Sequence, residues 1–186
     1  GKTVIGIDPE IADALEKKLG VSLAFENISF DAIIPGLASG RYDMAMSAMS
    51  DTVERQKQVT FLDYFSSGAG IMTSSSKANP ARTLDDLCGV KVGIVKGTTE
   101  DGDAAAQSAK CQSMQKPPLE VTVFASQNQA VLALQSDRVD AFLVGTASGS
   151  GVAADSNGEL VMGAAYSVDL FGIVFPKEST ELIQVV

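Results

Sequence analysis

Arg55, in the run Ser47-Ala48-Met49-Ser50-Asp51-Thr52-Val53-Glu54-Arg55, could hold a carboxylate. A guanidinium offers two parallel N–H donors to the two carboxylate oxygens, which an ammonium cannot match. A second run, Lys96-Gly97-Thr98-Thr99-Glu100, places a glycine and two hydroxyl residues where a helix would begin. Such a start turns N–H groups and the positive end of the helix dipole toward a small anion. Each feature has a plainer alternative, Arg55 as a surface ion pair and Thr98 as an ordinary N-cap. Cys88 and Cys111 are a disulfide or two free thiols, because two sulfur ligands without histidine leave a metal site incomplete. Asp155-Ser156-Asn157-Gly158-Glu159 lacks the spacing of a calcium loop and reads as a turn. The methionines at 44, 46 and 49 read as strand packing rather than a metal site.

What is missing narrows the chemistry. The 186 residues contain no histidine, so Ser-His-Asp and Cys-His nucleophiles, a histidine general base and imidazole metal sites are all excluded. With 14 Lys+Arg against 23 Asp+Glu, the formal net charge is −9. That surface does not attract a polyanion, which argues against nucleic acid as a partner. No metal or other cofactor is expected. No apolar run approaches the ~18 residues a membrane helix needs. The chain opens on Gly1 without a methionine, which reads as a processed or trimmed start.

The elements that would position these residues alternate between strand and helix. Asp8 as N-cap, Pro9 in the first turn and Ile11, Ala14, Leu15 and Leu19 on one face predict a helix that ends at Gly20. Val21 to Phe25 alternates like a strand. Ser29 caps a helix through Asp31–Ser39 that stops at Gly40. Tyr42–Ser47 reads as a buried strand and Thr52–Gln58 as a short helix. Further strands are expected at Val90–Val95, Val121–Phe124 and Ala141–Val144. Helices are expected at Thr99–Lys110 and at Gln127–Asp137, the latter with a Ser126…Gln129 capping box. This order predicts an α/β protein with largely parallel sheets.

The segment Ser29–Asp43 also recurs as Ser126–Asp140, with matches at Ser29/Ser126, Leu37/Leu134, Ser39/Ser136, Arg41/Arg138 and Asp43/Asp140. Either helix-to-strand turns favour these residues in general, or two lobes share one wiring. In open α/β sheets ligands sit beyond the strand ends, which is where both runs above fall.

The stretches Gly6-Ile7-Asp8…Ala12, Phe30-Asp31-Ala32-Ile33-Ile34-Pro35-Gly36-Leu37-x-Ser39-Gly40-x-Tyr42-Asp43, Thr52-x-x-Arg55-x-x-x-Val59-x-Phe61-x-Asp63, Leu84-x-Asp86-Leu87-x-Gly89-x-Lys91-Val92-Gly93 and Lys96-Gly97-Thr98-Thr99 together resemble the type 3 extracellular solute-binding proteins, which serve ABC importers of polar amino acids. The resemblance implies a two-lobed periplasmic-binding-protein type II (Venus-flytrap) fold with a cleft between lobes. Residues 1–74 plus 172–186 would form lobe I and residues 75–171 lobe II, with crossings near Ile71–Ser75 and Gly172–Phe175. It further implies that Arg55 grips a ligand's α-carboxylate, that Thr99 with Thr98 donates to it, and that Ser47, Ala48 and Ser50 line the cleft. Phe30 would pack on the ligand, or serve as a core residue at a helix start.

One position departs from that family. An acidic residue that pairs with the ligand's α-ammonium is usual where this chain has Gly145, in Gly145-Thr146-Ala147-Ser148-Gly149-Ser150-Gly151. Either the ligand lacks a free α-ammonium, or backbone carbonyls, hydroxyls or Glu100 hold it. The resemblance also implies a periplasmic or extracellular location, of a kind an N-terminal lipid anchor can secure, a membrane ABC permease as partner, and a Cys88–Cys111 disulfide. It places a first strand ahead of Gly1 and a longer C-terminal helix beyond Val186. A monomer is implied for the intact protein; for a chain lacking those parts the alternatives are an unstable lobe I, a swap of elements with a neighbour in an oligomer, or a loss of normal ligand binding. The rival reading is an enzyme resembling cyclohexadienyl (prephenate) dehydratases, with Glu54 or Glu100 as the acid, although no spacing marks a catalytic pair. A ligand-sensing receptor domain is the third class.

Overall fold

The structure, a computed structural model, describes residues 6–77 and 80–186. In chain order its elements are α1 (Ile7–Leu19), α2 (Ile33–Ala38), β1 (Ala45–Ser50), α3 (Val53–Gln56), β2 (Val59–Ser67), β3 (Ala69–Ser74), β4 (Lys91–Val95), α4 (Thr99–Ser113), β5 (Glu120–Phe124), α5 (Gln127–Gln135), β6 (Ala141–Gly145), α6 (Thr146–Asp155), β7 (Leu160–Ala165), β8 (Asp169–Pro176) and α7 (Thr180–Val185). Short 3-10 turns at Phe30–Ala32 and Leu84–Leu87 lead into α2 and β4. The chain forms two compact units, residues up to Tyr64 with Phe171–Val186, and Phe65–Leu170. The expected crossing at Ile71–Ser75 falls largely inside β3. That strand pairs with β6 and β7, both in the second unit, so the division comes earlier in the chain.

In the first unit, strands are ordered β1-β8-β2, with β1 antiparallel to β8 from Ala45↔Val174 to Ser50↔Phe171. Alternation along β8 serves both faces of the sheet. Ile173 and Phe175 pack with Leu15, Ile11 and Leu19 of α1 and with Leu182 and Ile183 of α7. Val174 packs with Ile33 and Leu37 of α2, Met49 and Val59.

Two expectations change here. The cap of α1 is Gly6, not Asp8, and no side chain caps it. Asp8 lies in the first turn, where its charge suits the helix dipole, and it accepts a hydrogen bond from the Tyr64 hydroxyl. Burial, and then Asp8, push the Tyr64 hydroxyl's pKa upward. The Val21–Phe25 segment is not a strand, and Val21 and Phe25 are exposed. Alternation supplies an apolar edge, but a strand also needs a ladder partner, and no described strand lies alongside. Its Leu23 still joins the core.

The second unit carries a five-stranded sheet in the order β5-β4-β6-β3-β7. β4 is parallel to β5 and β6, whereas β3 is antiparallel to β6 and β7, so the sheet is mixed rather than largely parallel. Ile71, Val92, Ile94, Ala141 and Leu143 pack against Ala104 and Cys111 of α4. Their alternates Met72 and Phe142, facing the other way, are fully buried with Ala130, Ala133 and Leu134 of α5. The glycine-rich run after β6, low in helix propensity, forms α6. Gly149 lets α6 sit close on the sheet: a Cβ there would meet Met162 Sδ at 2.5 Å and Val144 Cγ1 at 3.0 Å.

The internal echo is a repeated helix ending. In the first copy Ser39 N bonds Pro35 O, Gly40 N bonds Leu37 O, and Arg41 N bonds Gly36 O at 2.9 Å; in the second, Ser136 N bonds Leu132 O, Asp137 N bonds Leu134 O, and Arg138 N bonds Ala133 O, again at 2.9 Å. Both serines donate to the carbonyl three residues back. The turn residues Gly40 and Asp137 have φ of 71° and 54°, the left-handed conformation in which glycine carries no Cβ penalty. Gly40→Ala is therefore expected to cost about 1 kcal/mol. It would appear as a lower urea midpoint at unchanged slope, and an unchanged midpoint would contradict it.

Candidate functional site

In the first unit, Thr52 is the N-cap of α3 and its hydroxyl accepts from Arg55 N at 3.3 Å. This sets Arg55 in the helix's first turn. Its Nη1 donates to Ser50 O at 2.8 Å, and its guanidinium carbon lies 5.5 Å from the centroid of the Phe30 ring. A guanidinium that rests on an aromatic face and is tied at one edge is pre-oriented for a planar anion. Phe30 is half-buried and packs on the Ile33–Leu37–Val174 cluster, so it is a core residue that also carries Arg55. Ser47, Ala48 and Ser50 lie within β1, not beyond it, because the strand runs on to Ser50. The β1–β8 register shifts between Ala45 and Met49, and Ala48 there adopts φ 45°. Such an irregularity turns backbone groups out of the ladder. Ser47 is exposed, Ala48 partly exposed and Ser50 buried.

In the second unit β4 ends at Val95, and Gly97, with φ 79°, turns the chain into α4. Thr98 is the N-cap, but its hydroxyl donates to Val95 O at 2.9 Å instead of capping the helix. Thr99 opens the helix, and its hydroxyl donates to Glu100 Oε2 at 3.3 Å. Glu100 is only 8% exposed, on the α4 face that also buries Ala104, Gln107 and Cys111. Gly145 is the last residue of β6 and the N-cap of α6. The β4–β6 register, Val92↔Ala141 and Gly93↔Phe142, carried onward, brings Gly145 level with Lys96.

Sequence reading missed a group of acids behind this helix start. Tyr166 donates to Asp103 Oδ2 at 2.9 Å, and Ser167 donates to Asp169 Oδ2 at 3.0 Å. Tyr166 and Asp103 lie far apart in the chain, so no local pattern announces the contact. Burial lifts the Glu100 carboxyl above the ordinary range; its own amide and the Thr98 and Thr99 hydroxyls pull it back, and Asp103 pushes it further up. Asp103 is also raised, by burial first, with the Tyr166 bond opposing and Asp169 adding. An acid whose folded pKa exceeds its unfolded value stabilises the fold while protonated. That contribution is complete below the unfolded pKa and is lost as pH rises through the folded one. Glu100→Gln is therefore expected to gain stability relative to the unmodified protein as pH rises from about 4 to about 8. Urea melts across that range would show it, and a pH-independent difference would contradict it.

Cys88 and Cys111 form a disulfide that ties the turn before β4 to α4. Gln107 Nε2 lies 3.5 Å from Cys111 Sγ and donates to Asp85 Oδ1 at 3.1 Å. Among the described residues no group of three or more Cys, Asp or Glu could hold a metal ion, and no helix is long and apolar enough to cross a membrane.

The profile of the family described as bacterial extracellular solute-binding proteins, family 3, matches residues 1–186. A probable histidine-binding protein of Campylobacter jejuni is 32% identical over 157 residues, which cover 84% of this chain and 57% of that protein. The chain spans a little over half the length of the curated relatives it matches. Among solved structures, an ancestral arginine-binding protein bound to glutamine matches with a TM-score of 0.87 and 32% identity, covering 97% of this chain and 78% of that one. An ancestral amino-acid-binding protein described as a precursor of cyclohexadienyl dehydratase matches with a TM-score of 0.83 and 28% identity, covering 96% and 74%. These likenesses extend over both units, and the fold is the two-lobed, mixed α/β type II fold of periplasmic binding proteins.

Proposed function

The chain belongs to the bacterial extracellular solute-binding proteins, family 3, and from that membership we propose that it captures a polar α-amino acid outside the cytoplasm and delivers it to an ABC importer. The observation that carries this reading is Arg55, seated on the Phe30 ring and tied to Ser50 O, a cation oriented to receive a carboxylate. The Thr98–Thr99 start of α4 is the second carboxylate-binding group. Ser47, Ala48 and Ser50 contribute backbone and hydroxyl contacts beside Arg55. The partner is a membrane permease, and the location is periplasmic or extracellular. Binding rather than catalysis is the reading favoured by the curated relatives, which are named as amino-acid-binding proteins; of the two candidate acids, Glu54 pairs with Lys57 on the surface and Glu100 accepts from Thr99.

A thermal-shift screen of the common amino acids and simple carboxylates on the purified protein tests this. A ligand at one hundred times its Kd adds about 2.7 kcal/mol of apparent stability. A clear rise in midpoint with at least one α-amino acid is expected, and no rise with any of them would sink the reading. Turnover of prephenate or arogenate would favour the dehydratase instead.

A further inference from the structure

We propose that the turn between α6 and β7 is a site of covalent modification by water, at which Asn157 loses its side-chain amide through a cyclic imide formed with Gly158, and that the product weakens the join of β7 to β3. The chain carries asparagine at positions 27, 79, 128 and 157, and only Asn157 precedes a glycine. Ring closure needs the backbone nitrogen of the next residue to reach the asparagine Cγ. A following glycine obstructs that approach least, because it has no Cβ and turns freely. Asn79 precedes Pro80, whose nitrogen has no proton to give up. The fold favours the same residue. Asn157 and Gly158 are both exposed, and a Cβ built on Gly158 would meet nothing within 4 Å, so the ring has room. Gly158 N has no hydrogen-bond acceptor among the described residues. Asn157 has φ 53°, a left-handed conformation that an L residue occupies at a cost, so its backbone does not resist leaving it. The other two described asparagines are hindered. Asn27 is exposed, but the β-branched Ile28 after it packs on the Ile33–Leu37–Val174 cluster. Asn128 lies in α5, where Gln129 N donates to the Ser126 hydroxyl.

In the first step Gly158 N gives its proton to solvent and bonds to Asn157 Cγ. The bond from Cγ to Nδ2 breaks, and the nitrogen takes a proton from water and leaves as ammonia. Water then opens the imide at one of its two carbonyls. Opening at Cγ frees the backbone and leaves an acidic side chain in which OH replaces NH2. Opening at the backbone carbonyl instead routes the chain through the former side chain, as isoaspartate. Either product adds a carboxylate between Asp155 and Glu159, at the negative end of the α6 dipole. The isoaspartate also lengthens the backbone of a turn that the bond from Glu159 N to Ser156 O closes at 3.1 Å. Three contacts hang on that turn. Leu160 N donates to the Ser156 hydroxyl at 3.0 Å, Gln135 of α5 donates to Glu159 Oε2 at 3.2 Å, and Ser75 N, just past β3, donates to Glu159 O at 2.9 Å.

The experiment incubates the purified protein, folded and in parallel unfolded in guanidinium chloride, in warm, mildly alkaline buffer made with heavy-oxygen water. Peptide mapping by mass spectrometry then follows each asparagine. In the folded protein Asn157 should convert roughly tenfold faster than Asn27 or Asn128, take up heavy oxygen and yield both aspartate and isoaspartate. Asn157→Gln should lose the conversion at this turn, because its longer side chain closes the ring far more slowly. The converted fraction, separated by ion exchange, should show a lower urea midpoint at unchanged slope. Asn157→Asp, which adds the charge without rerouting the backbone, should fall less. Conversion at Asn157 no faster than at Asn27 or Asn128 overturns the proposal. So does conversion in the unfolded chain but not in the folded one, since the turn would then protect the residue. An unchanged midpoint in the converted fraction overturns the weakening of the β7 join.

Discussion

Replacing Arg55 by alanine is expected to weaken capture of the best-stabilising amino acid by roughly 1,000-fold, the effect of truncating one partner of a desolvated, hydrogen-bonded charge pair. Arg55→Lys should recover only part of that, remaining weaker than the unmodified protein by roughly 30-fold, since an ammonium cannot make two parallel bonds to a carboxylate. Stability should change little in comparison. Arg55 is only partly buried, and its contacts include the bond to Ser50 O and the face of the Phe30 ring. Calorimetric titration of the three proteins, with thermal unfolding in parallel, separates a binding role from a folding one. Affinities within about threefold of one another would assign Arg55 to the surface and remove the observation on which the functional reading stands.

The second large effect concerns stability. Opening the Cys88–Cys111 bridge, which spans a sequence separation of 23, is expected to cost about 3 kcal/mol through the conformational freedom returned to the unfolded chain. For a chain of this size that corresponds to a fall in Tm of roughly 6–12 °C. Reduction with excess dithiothreitol and the double variant Cys88→Ala/Cys111→Ala should agree. Alanine suits the second position because Cys111 is fully buried in the core against Leu87, Val92 and Ile94, where a serine hydroxyl would need a partner. A bridge that braces α4 also holds its N-terminal turn, so affinity should fall on reduction along with stability. A reduced protein with an unchanged Tm would show that packing alone holds this helix.

Where alternation or capping is a local matter, sequence reading located the elements well. β4, β5, β6, α4 and α5 lie within a few residues of their expected bounds, because each combines an apolar period with a polar or glycine boundary. Ser126 does cap α5, accepting from Gln129 N, although Gln129 returns its bond to Ala125 N rather than to the cap residue itself. The elements that were not legible depend on partners distant in the chain. β3, buried almost throughout, has no alternation to read, and β7 ends in three small residues, Gly163, Ala164 and Ala165. α6 is a helix of small residues, with two glycines and two serines among its ten, and it packs so closely on the sheet that only glycine fits at position 149.

The sequence by itself determined the family, the two candidate carboxylate-binding groups and the absence of histidine chemistry, because these depend on residue type and short spacing. The tertiary structure decided what each group touches. It seats Arg55 on Phe30, and it turns the hydroxyl of the N-cap residue Thr98 back to Val95 O rather than onto the helix. It also buries Glu100 beside Asp103 and Tyr166. Those relations come from β-sheet order and helix packing, which join residues far apart in the chain. Burial and field, which set the charge behaviour of a carboxylate, arise only from that assembly.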